Sequence, residues 1–278
     1  HDNLRSALDW YLKGDDAEHA LRFGAALWAL WAVRGYVTEG RSRLAAMLLA
    51  PEVASLAKLR AGVLRGAGRL AFNQGDFSAA RLLYGQGLAA WRALGDPLQI
   101  VSALCALGHL AREQGDFAQA RRVLTEGLDL ANNSSEPYAP VDPLNYLGLL
   151  AIQEGDYALA RDRFEACLAI LEQVGPERGL TQQAFCRIRL GIVAHAQGRC
   201  EEARSYYNTG LATLRAWGDT RGIANVLISL ALVDVDDGAL DAALLRLGEA
   251  RALLQKTRDQ AGLAMWLEAC AGLAAVHQ

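Results

Sequence analysis

Hydrophobic side chains recur every three or four residues along most of the 278-residue chain, which is the spacing of one face of an α-helix. The pattern is clearest from Leu104 to Leu128, where two such segments meet at Gly115. Glycine ends a helix in the left-handed conformation at little steric cost, and Asp116 is placed to cap the helix that follows. The stretch therefore predicts two antiparallel helices joined by a tight turn.

The same pattern occurs six times, and successive turn glycines are 40 residues apart except for one step of 43. A small residue stands five positions after each turn glycine, and in four cases a further glycine stands seven positions before it. Small residues at these places let two helix axes approach closely, as we expect at Gly108 and Ala120. A fixed period of this kind indicates a helical repeat array. The turn glycines are Gly35, Gly75, Gly115, Gly155, Gly198 and Gly238.

The pattern predicts an all-α fold, a right-handed α-solenoid of about six helix pairs that runs through residues 1–278 as a single superhelix. The longest predicted loops are 132–142 and 175–179, which we interpret as spacers, with functional lips of the solenoid as the alternative. Because the chain starts without Met and stops before a further expected turn, we expect a fragment of a longer protein. The repeats are expected at about 17–49, 55–94, 97–131, 141–174, 178–217 and 220–256, with unpaired end helices at 2–13 and 260–278.

Composition narrows the classes of function. The chain is 52% hydrophobic but only 7% aromatic, which suits an interior of alanine and leucine between close helices. A net charge of -3 predicts no direct binding of nucleic acid and no acidic membrane surface as partner. The longest uncharged apolar run, Phe23 to Val33, has 11 residues, fewer than the about 20 that span a bilayer. Five cysteines without paired spacing fit a reducing compartment, so we expect a cytoplasmic protein.

The spacing of small, apolar and aromatic residues around each turn resembles the tetratricopeptide repeat. The usual tetratricopeptide period is about 34 residues, so a period of 40 adds about one and a half helical turns to each repeat. The positions that match the pattern best are Leu147, Gly148, Ala151, Gly155, Tyr157, Ala160 and Phe164.

The long period is similar to that of the sensor domains of bacterial signalling ATPases that regulate transcription, including the maltose-regulon activator and the LuxR- and AfsR-type regulators. Residues 1–44 resemble the segment that follows the nucleotide-binding and winged-helix modules of those regulators. The resemblance implies that the repeats receive an effector or partner and release the ATPase from inhibition. It also implies ATPase and DNA-binding modules outside these residues, because no G-x-x-x-x-G-K-[ST] occurs here. The alternative is a free-standing scaffold that brings proteins together.

Three local patterns suggest chemistry but have simpler explanations. Gly66 to Ala71 fits G-x-G-x-x-A but lies inside a predicted helix, so we interpret it as helix packing. Cys105 and His109, four residues apart, have no second pair to complete a metal site. Asp234 to Asp237 is interpreted as solvated charge at a helix end. We therefore predict no metal, no cofactor and no enzymatic activity.

The binding residues are expected on the first helix of each repeat, which lines the inner, concave surface of stacked helix pairs. Repeats two and three offer arginines and amides there, whereas repeats five and six offer aliphatic side chains. This pattern predicts a groove for a protein, a peptide or a small effector with an anionic end near the arginines, with an ordinary solvated face as the alternative. The candidates are Arg65, Arg69, Asn73, His109, Arg112, Asn145, Gln153, Ile188, Ile192 and Asn225.

Two aromatic pairs occur near the start of the chain, Trp10 with Tyr11 and Trp28 with Trp31. We expect both pairs to close the N-terminal end of the core. If they were exposed, they would instead mark a docking surface for another domain.

Overall fold

The computed structural model describes residues 2–13, 16–49, 54–257 and 259–276, and every regular element in these residues is helical, as predicted. A 3-10 helix, Ala54–Leu56, precedes the fourth α-helix. Positions 277–278 of the expected last helix lie outside the described residues. The α-helices are α1 (Asp2–Lys13), α2 (Ala17–Arg34), α3 (Val37–Leu48), α4 (Ala57–Asn73), α5 (Phe77–Leu94), α6 (Pro97–Glu113), α7 (Phe117–Asn132), α8 (Val141–Gln153), α9 (Tyr157–Val174), α10 (Pro176–Ala196), α11 (Cys200–Trp217), α12 (Thr220–Asp236), α13 (Leu240–Thr257) and α14 (Gln260–Val276).

The chain forms two compact units, an N-terminal unit (His1–Tyr146) and a C-terminal unit (Leu147–Gln278). Within each unit, helices pack against helices one or two positions away along the chain, as α4 does with α2 and α5. In the C-terminal unit α12 packs against α13 and α14 in the same way. The single superhelix expected through residues 1–278 stays a prediction. Among the described residues, no helix has the length and apolar character needed to cross a membrane.

The six turn glycines have the left-handed backbone that the sequence predicted, with φ between 72° and 77°. The residue after the glycine often caps the next helix. Asp116 Oδ1 accepts a hydrogen bond from the backbone N–H of Gln119 at 3.0 Å, as predicted, and Asp76 and Asp156 cap their helices in the same way. These caps satisfy backbone donors that a helix start leaves unpaired, so each turn is defined by local sequence.

The two helices of a repeat approach most closely at the glycine seven positions before the turn. A Cβ added at Gly108 would lie 2.4 Å from Cγ of Leu124, and one at Gly148 would lie 2.6 Å from Cε1 of Phe164. Leu124 and Phe164 each stand nine positions after the turn glycine and are fully buried. The large residue of the second helix thus fills the space that glycine leaves on the first, which confirms the close approach predicted at Gly108. Two other glycines of α4 pack in the same way, Gly66 against Trp28 and Gly68 against Tyr84. This agrees with the interpretation of Gly66 to Ala71 as helix packing.

The predicted loop at 175–179 is wrong, because residues 176–179 form the first turn of α10. Pro176 stands at the start of the helix, where its missing N–H costs nothing and its fixed φ suits a helix. Only Gly175, with φ of 90°, separates α9 from α10. The other predicted loop is present, as the non-helical segment 133–140 between α7 and α8.

The expectation that both aromatic pairs close the core is wrong for Trp10. Trp31 is 2% exposed and belongs to the core, whereas Trp10 is 67% exposed. On α1 the buried position is Leu8, and a residue two places further along a helix points to nearly the opposite side. Trp10 therefore faces solvent while its ring edge contacts Tyr11, with ring centroids 5.0 Å apart.

Candidate functional site

Four side chains from α4, α6 and α8 form a continuous row in the N-terminal unit. Cζ of Arg69 lies 5.5 Å from the ring centroid of Phe72. The Phe72 ring lies 4.7 Å from that of His109, and His109 lies 5.1 Å from Tyr146. Phe72, His109 and Tyr146 lie three, six and nine residues before the turn glycine of their own repeat. From each repeat to the next, the ring therefore lies about one helical turn closer to the start of its helix. Tyr146 was not among the predicted binding residues, although its position nine residues before Gly155 follows this step.

Arg65 extends this row toward α2 and the start of α6. Its Cζ lies 5.9 Å from the ring centroid of Trp28, a cation–π contact. Its Nη1 donates a hydrogen bond to Oγ of Ser102 at 3.4 Å. Two neighbouring helices therefore hold Arg65 in place, and the row from Trp28 through Arg65 and Arg69 to Tyr146 is called the binding face below.

Three polar atoms on the first helices of these repeats are buried without a hydrogen-bond partner among the described residues. They are Nε of Arg65, Nε of Arg112 and Oδ1 of Asn145. Buried polar atoms in folded proteins almost always have a partner, either protein or solvent. These atoms have almost no exposed surface, so a ligand reaches them only if the surrounding side chains move.

The charge of the binding face comes from Arg65 and Arg69. Neither residue has a carboxylate partner among the described residues, whereas Arg112 forms an ion pair with the adjacent Glu113. Burial, together with the positive charges of Arg112 and Arg69, lowers the pKa of His109 to about 4. His109 is therefore neutral at neutral pH, and it contributes a ring surface rather than a charge.

The remaining candidates are Asn73 in the N-terminal unit and four residues of the C-terminal unit. Asn73 and Gln153 are exposed at the last positions of α4 and α8. In the C-terminal unit, Ile188 packs against Gly210, where an added Cβ would lie 2.6 Å from Cγ1 of the isoleucine. Ile192 is 37% exposed, and Oδ1 of Asn225 is buried without a partner among the described residues.

A small cavity of about 200 Å³ opens beside the binding face, between the start of α6, the segment 136–139 and the start of α8. Ser102, which accepts the hydrogen bond from Arg65, is part of its wall. The segment interpreted as a spacer thus forms one side of a pocket. The lining residues are Leu98, Val101, Ser102, Glu136, Tyr138, Ala139 and Asp142.

The acidic run at the end of α12 is not simply solvated charge, and that interpretation is wrong for Asp234. Asp234 is 1% exposed and forms ion pairs with Arg204 and with Nε of Arg246, the latter at 2.6 Å. Asp236 Oδ2 lies 2.6 Å from Nε2 of His195. The run therefore ties α12 to α10, α11 and α13. Across the part of the chain that the structure describes, no group of three or more His, Cys, Asp or Glu residues is placed to hold a metal ion.

Two of the singly spaced cysteines meet in the C-terminal unit. Sγ of Cys167 on α9 lies 3.2 Å from Sγ of Cys186 on α10, and both side chains are buried free thiols. The hydrogen bond with Cys167 lowers the pKa of Cys186. Nothing in the spacing of 19 residues indicated this contact, because it depends on how the two helices pack.

Comparison with protein families supports the repeat pattern. A tetratricopeptide-repeat model matches residues 142–216 and 185–256, and a second tetratricopeptide-repeat model matches residues 101–134. Together the matched segments cover more than half of the chain. No curated protein matches the sequence.

Solved structures share the fold at low sequence identity. BtubC from P. vanneervenii is 16% identical with a TM-score of 0.62, over 91% of this chain and 93% of that one. A Rap protein in complex with competence and sporulation factor is 14% identical with a TM-score of 0.66, over 92% and 76% of the two chains. NprR in complex with its cognate peptide NprX is 12% identical with a TM-score of 0.67, over 96% and 78%.

These likenesses concern the fold, while the family models identify the repeats directly. The helix pairs and the turn glycines recur every 40 residues, with one step of 43, through the matched segments and the rest of the described chain. Residues 101–134 and 142–256 are tetratricopeptide repeats, and the chain is a tetratricopeptide-repeat protein in this part of its length.

Proposed function

We propose that the protein is a peptide-binding scaffold and that the binding face of the N-terminal unit receives an extended peptide with an anionic group near Arg65 and Arg69. The observation that carries the proposal is the row of ring contacts beside Arg65 and Arg69, which have no carboxylate partner among the described residues.

The chemistry of the face suits a peptide. Guanidinium groups bind carboxylates through charge-assisted hydrogen bonds. Neither Arg65 nor Arg69 forms an ion pair with a carboxylate among the described residues. Phe72 and Tyr146 offer ring surface for apolar side chains. The similar fold of NprR, which was solved with its cognate peptide NprX, supports a ligand of this class.

The experiment that tests this proposal is selection from a random decapeptide library displayed on phage. We expect the wild-type protein to enrich peptides with an acidic residue or a free carboxyl end. The double variant Arg65→Ala/Arg69→Ala should bind the enriched peptides at least about tenfold more weakly, a loss of about 1.4 kcal/mol, because charged hydrogen bonds are lost. Arg122→Ala, an exposed arginine on α7, is the matched control. Unchanged binding by the double variant, with its thermal unfolding intact, would contradict the proposal.

The wider role we propose is that of the sensor or regulatory module of a bacterial ATPase-type transcription regulator in the cytoplasm. The resemblance of residues 1–44 and the 40-residue period support this role, and the free thiols fit a reducing compartment. The gene that encodes the chain tests it. A phosphate-loop motif and a helix-turn-helix in the same reading frame are expected, and a reading frame without them would favour the free-standing scaffold.

A further inference from the structure

The last helix, α14, has the register of the first helix of a repeat. At the start of α12, Oδ1 of Asp219 accepts a hydrogen bond from the backbone N–H of Gly222 at 3.0 Å. Forty residues later, Oδ1 of Asp259 accepts the same bond from Gly262 at 3.1 Å, at the start of α14. α14 also packs against α12 and α13. Each position of α14 can therefore be compared with the position forty residues earlier on α12.

In the preceding repeats, one face of the first helix is covered by the second helix of the same repeat. Gly108, seven positions before its turn glycine, leaves space for the large Leu124 of the second helix. Leu104, eleven positions before the turn, has its Cβ 3.5 Å from where a Cβ on Gly127 would stand. Large side chains therefore lie opposite small residues in this contact. The leucines eleven positions before the turn are at most 6% exposed in four repeats, at Leu64, Leu104, Leu144 and Leu227.

On α14 the same face is uncovered among the described residues. Leu267 is 61% exposed, whereas its equivalent on α12, Leu227, is 2% exposed. The other positions of this face on α14 are alanines, all exposed, while their equivalents on α12 are all buried. The only charged residue of α14, Glu268, lies about 80° around the helix from the centre of the face. This uncharged surface, called the α14 face below, consists of Ala264, Leu267, Ala271 and Ala274.

We propose that the α14 face pairs with the α14 face of a second copy of the chain, with the two α14 helices antiparallel. A two-fold axis beside position 269 places Leu267 of each copy opposite Ala271 of the other, and Ala264 opposite Ala274. Each leucine then lies opposite a small residue, as in the helix pairs within a repeat, which are antiparallel too. A surface that is complementary to itself is what a two-fold dimer requires. The inference is independent of the proposed function, because the binding face lies in the N-terminal unit.

Sedimentation velocity on the whole chain, from about 1 µM to about 500 µM, tests this dimer. A single helix pair is a small interface, so we expect weak association that increases with concentration. Leu267→Lys should weaken it at least about tenfold, because the dimer would bury an unpaired charge. The matched control is Leu245→Lys on α13, whose leucine is 77% exposed. The equivalent Leu82 stays 62% exposed although further repeats follow it, so this position is not part of a helix contact.

Both substituted leucines are exposed, so circular dichroism should show the same thermal unfolding for the two variants and the wild type. A wild-type protein that stays monomeric over the whole concentration range would overturn the proposal and leave the α14 face to a different protein. A dimer that Leu267→Lys and Leu245→Lys affect equally would overturn it as well.

A charge exchange tests the antiparallel register. Ala271→Glu alone should weaken the dimer as Leu267→Lys does. A mixture of the two variants should associate at least about tenfold more strongly than either variant alone. In the mixed dimer the new lysine lies opposite the new glutamate, and the other Leu267 still lies opposite an alanine. A mixture that associates no more strongly than the separate variants would overturn the antiparallel pairing, because a parallel pair would place Leu267 opposite itself.

Discussion

Gly108 and Gly85 are both helical glycines, yet their surroundings predict opposite effects of the same alanine substitution. An added Cβ at Gly108 meets Cγ of the buried Leu124 at 2.4 Å, whereas one at Gly85 meets nothing within 4 Å. Gly108→Ala should therefore destabilise the protein by about 1–3 kcal/mol through overpacking. Gly85→Ala should stabilise it by about 0.5–1 kcal/mol, because alanine is the better helix former. Urea unfolding measures both, and a Gly108→Ala variant as stable as the wild type would contradict the close approach of α6 and α7.

His109 makes the stability of the protein depend on pH in a predictable direction. Its pKa in the folded protein is about 4, below the about 6.5 of an unfolded chain. The unfolded state therefore takes up the proton first, so this contribution to stability is complete above about pH 6.5 and is lost as the pH falls toward 4. The loss between pH 7 and pH 5 is about 2 kcal/mol.

His109→Gln isolates that contribution, because all other titrating groups are shared with the wild type. The free energy of unfolding, measured in urea, should fall between pH 7 and pH 5 in both proteins. The fall should be about 2 kcal/mol larger in the wild type than in the variant. The same pH dependence in both proteins would mean that His109 is not buried against Arg69 and Arg112.

At the scale of the helices, the buried Asp234 joins three elements of the C-terminal unit. Its carboxylate on α12 pairs with Arg204 on α11 and Arg246 on α13. Asp234→Asn should lower the free energy of unfolding by about 2–3 kcal/mol, less than a fully buried pair loses, because both arginines are partly exposed. The control Asp162→Asn, at an exposed position of α9, should change it by about 0.5 kcal/mol at most. Equal stability of the two variants in urea would argue against a buried charge at position 234.

Arginines also connect neighbouring repeats in register. The arginine six positions after a turn glycine reaches the turn or the second helix of the next repeat: Arg41 contacts Asp76 at 2.6 Å, and Arg161 contacts Glu202 at 2.8 Å. Half-exposed pairs of this kind contribute little energy each, about 0–1 kcal/mol. Their repeated spacing was present in the sequence, but their partners became clear only when the helices were placed.

At the scale of the whole molecule, repeats meet only near neighbours among the contacts described within each unit. Such an array is stabilised by each repeat and by each interface between repeats, rather than by one central core. The binding face follows from this arrangement, because Arg69, His109 and Tyr146 come from the first helices of three successive repeats. No single repeat contains the site.

The sequence by itself determined the helices, their turns and the closest helix contacts, because each depends on residues within about one period. Periodic apolar positions, a left-handed glycine with its capping aspartate, and a glycine facing a large residue all act inside one helix pair. The sequence also placed Arg65, Arg69, His109 and Asn145 on the first helices of their repeats.

Only the tertiary structure decided which of these residues meet. Four features each join side chains of different elements: the ring contact of Phe72 with His109, the contact of Cys167 with Cys186, the burial of Asp234 and the pocket beside Ser102. Such contacts depend on the offset at which one helix packs on the next, and a shift of one residue turns a side chain by about 100°. Local periodicity does not specify that offset, because it is set by how all the side chains between the helices pack together.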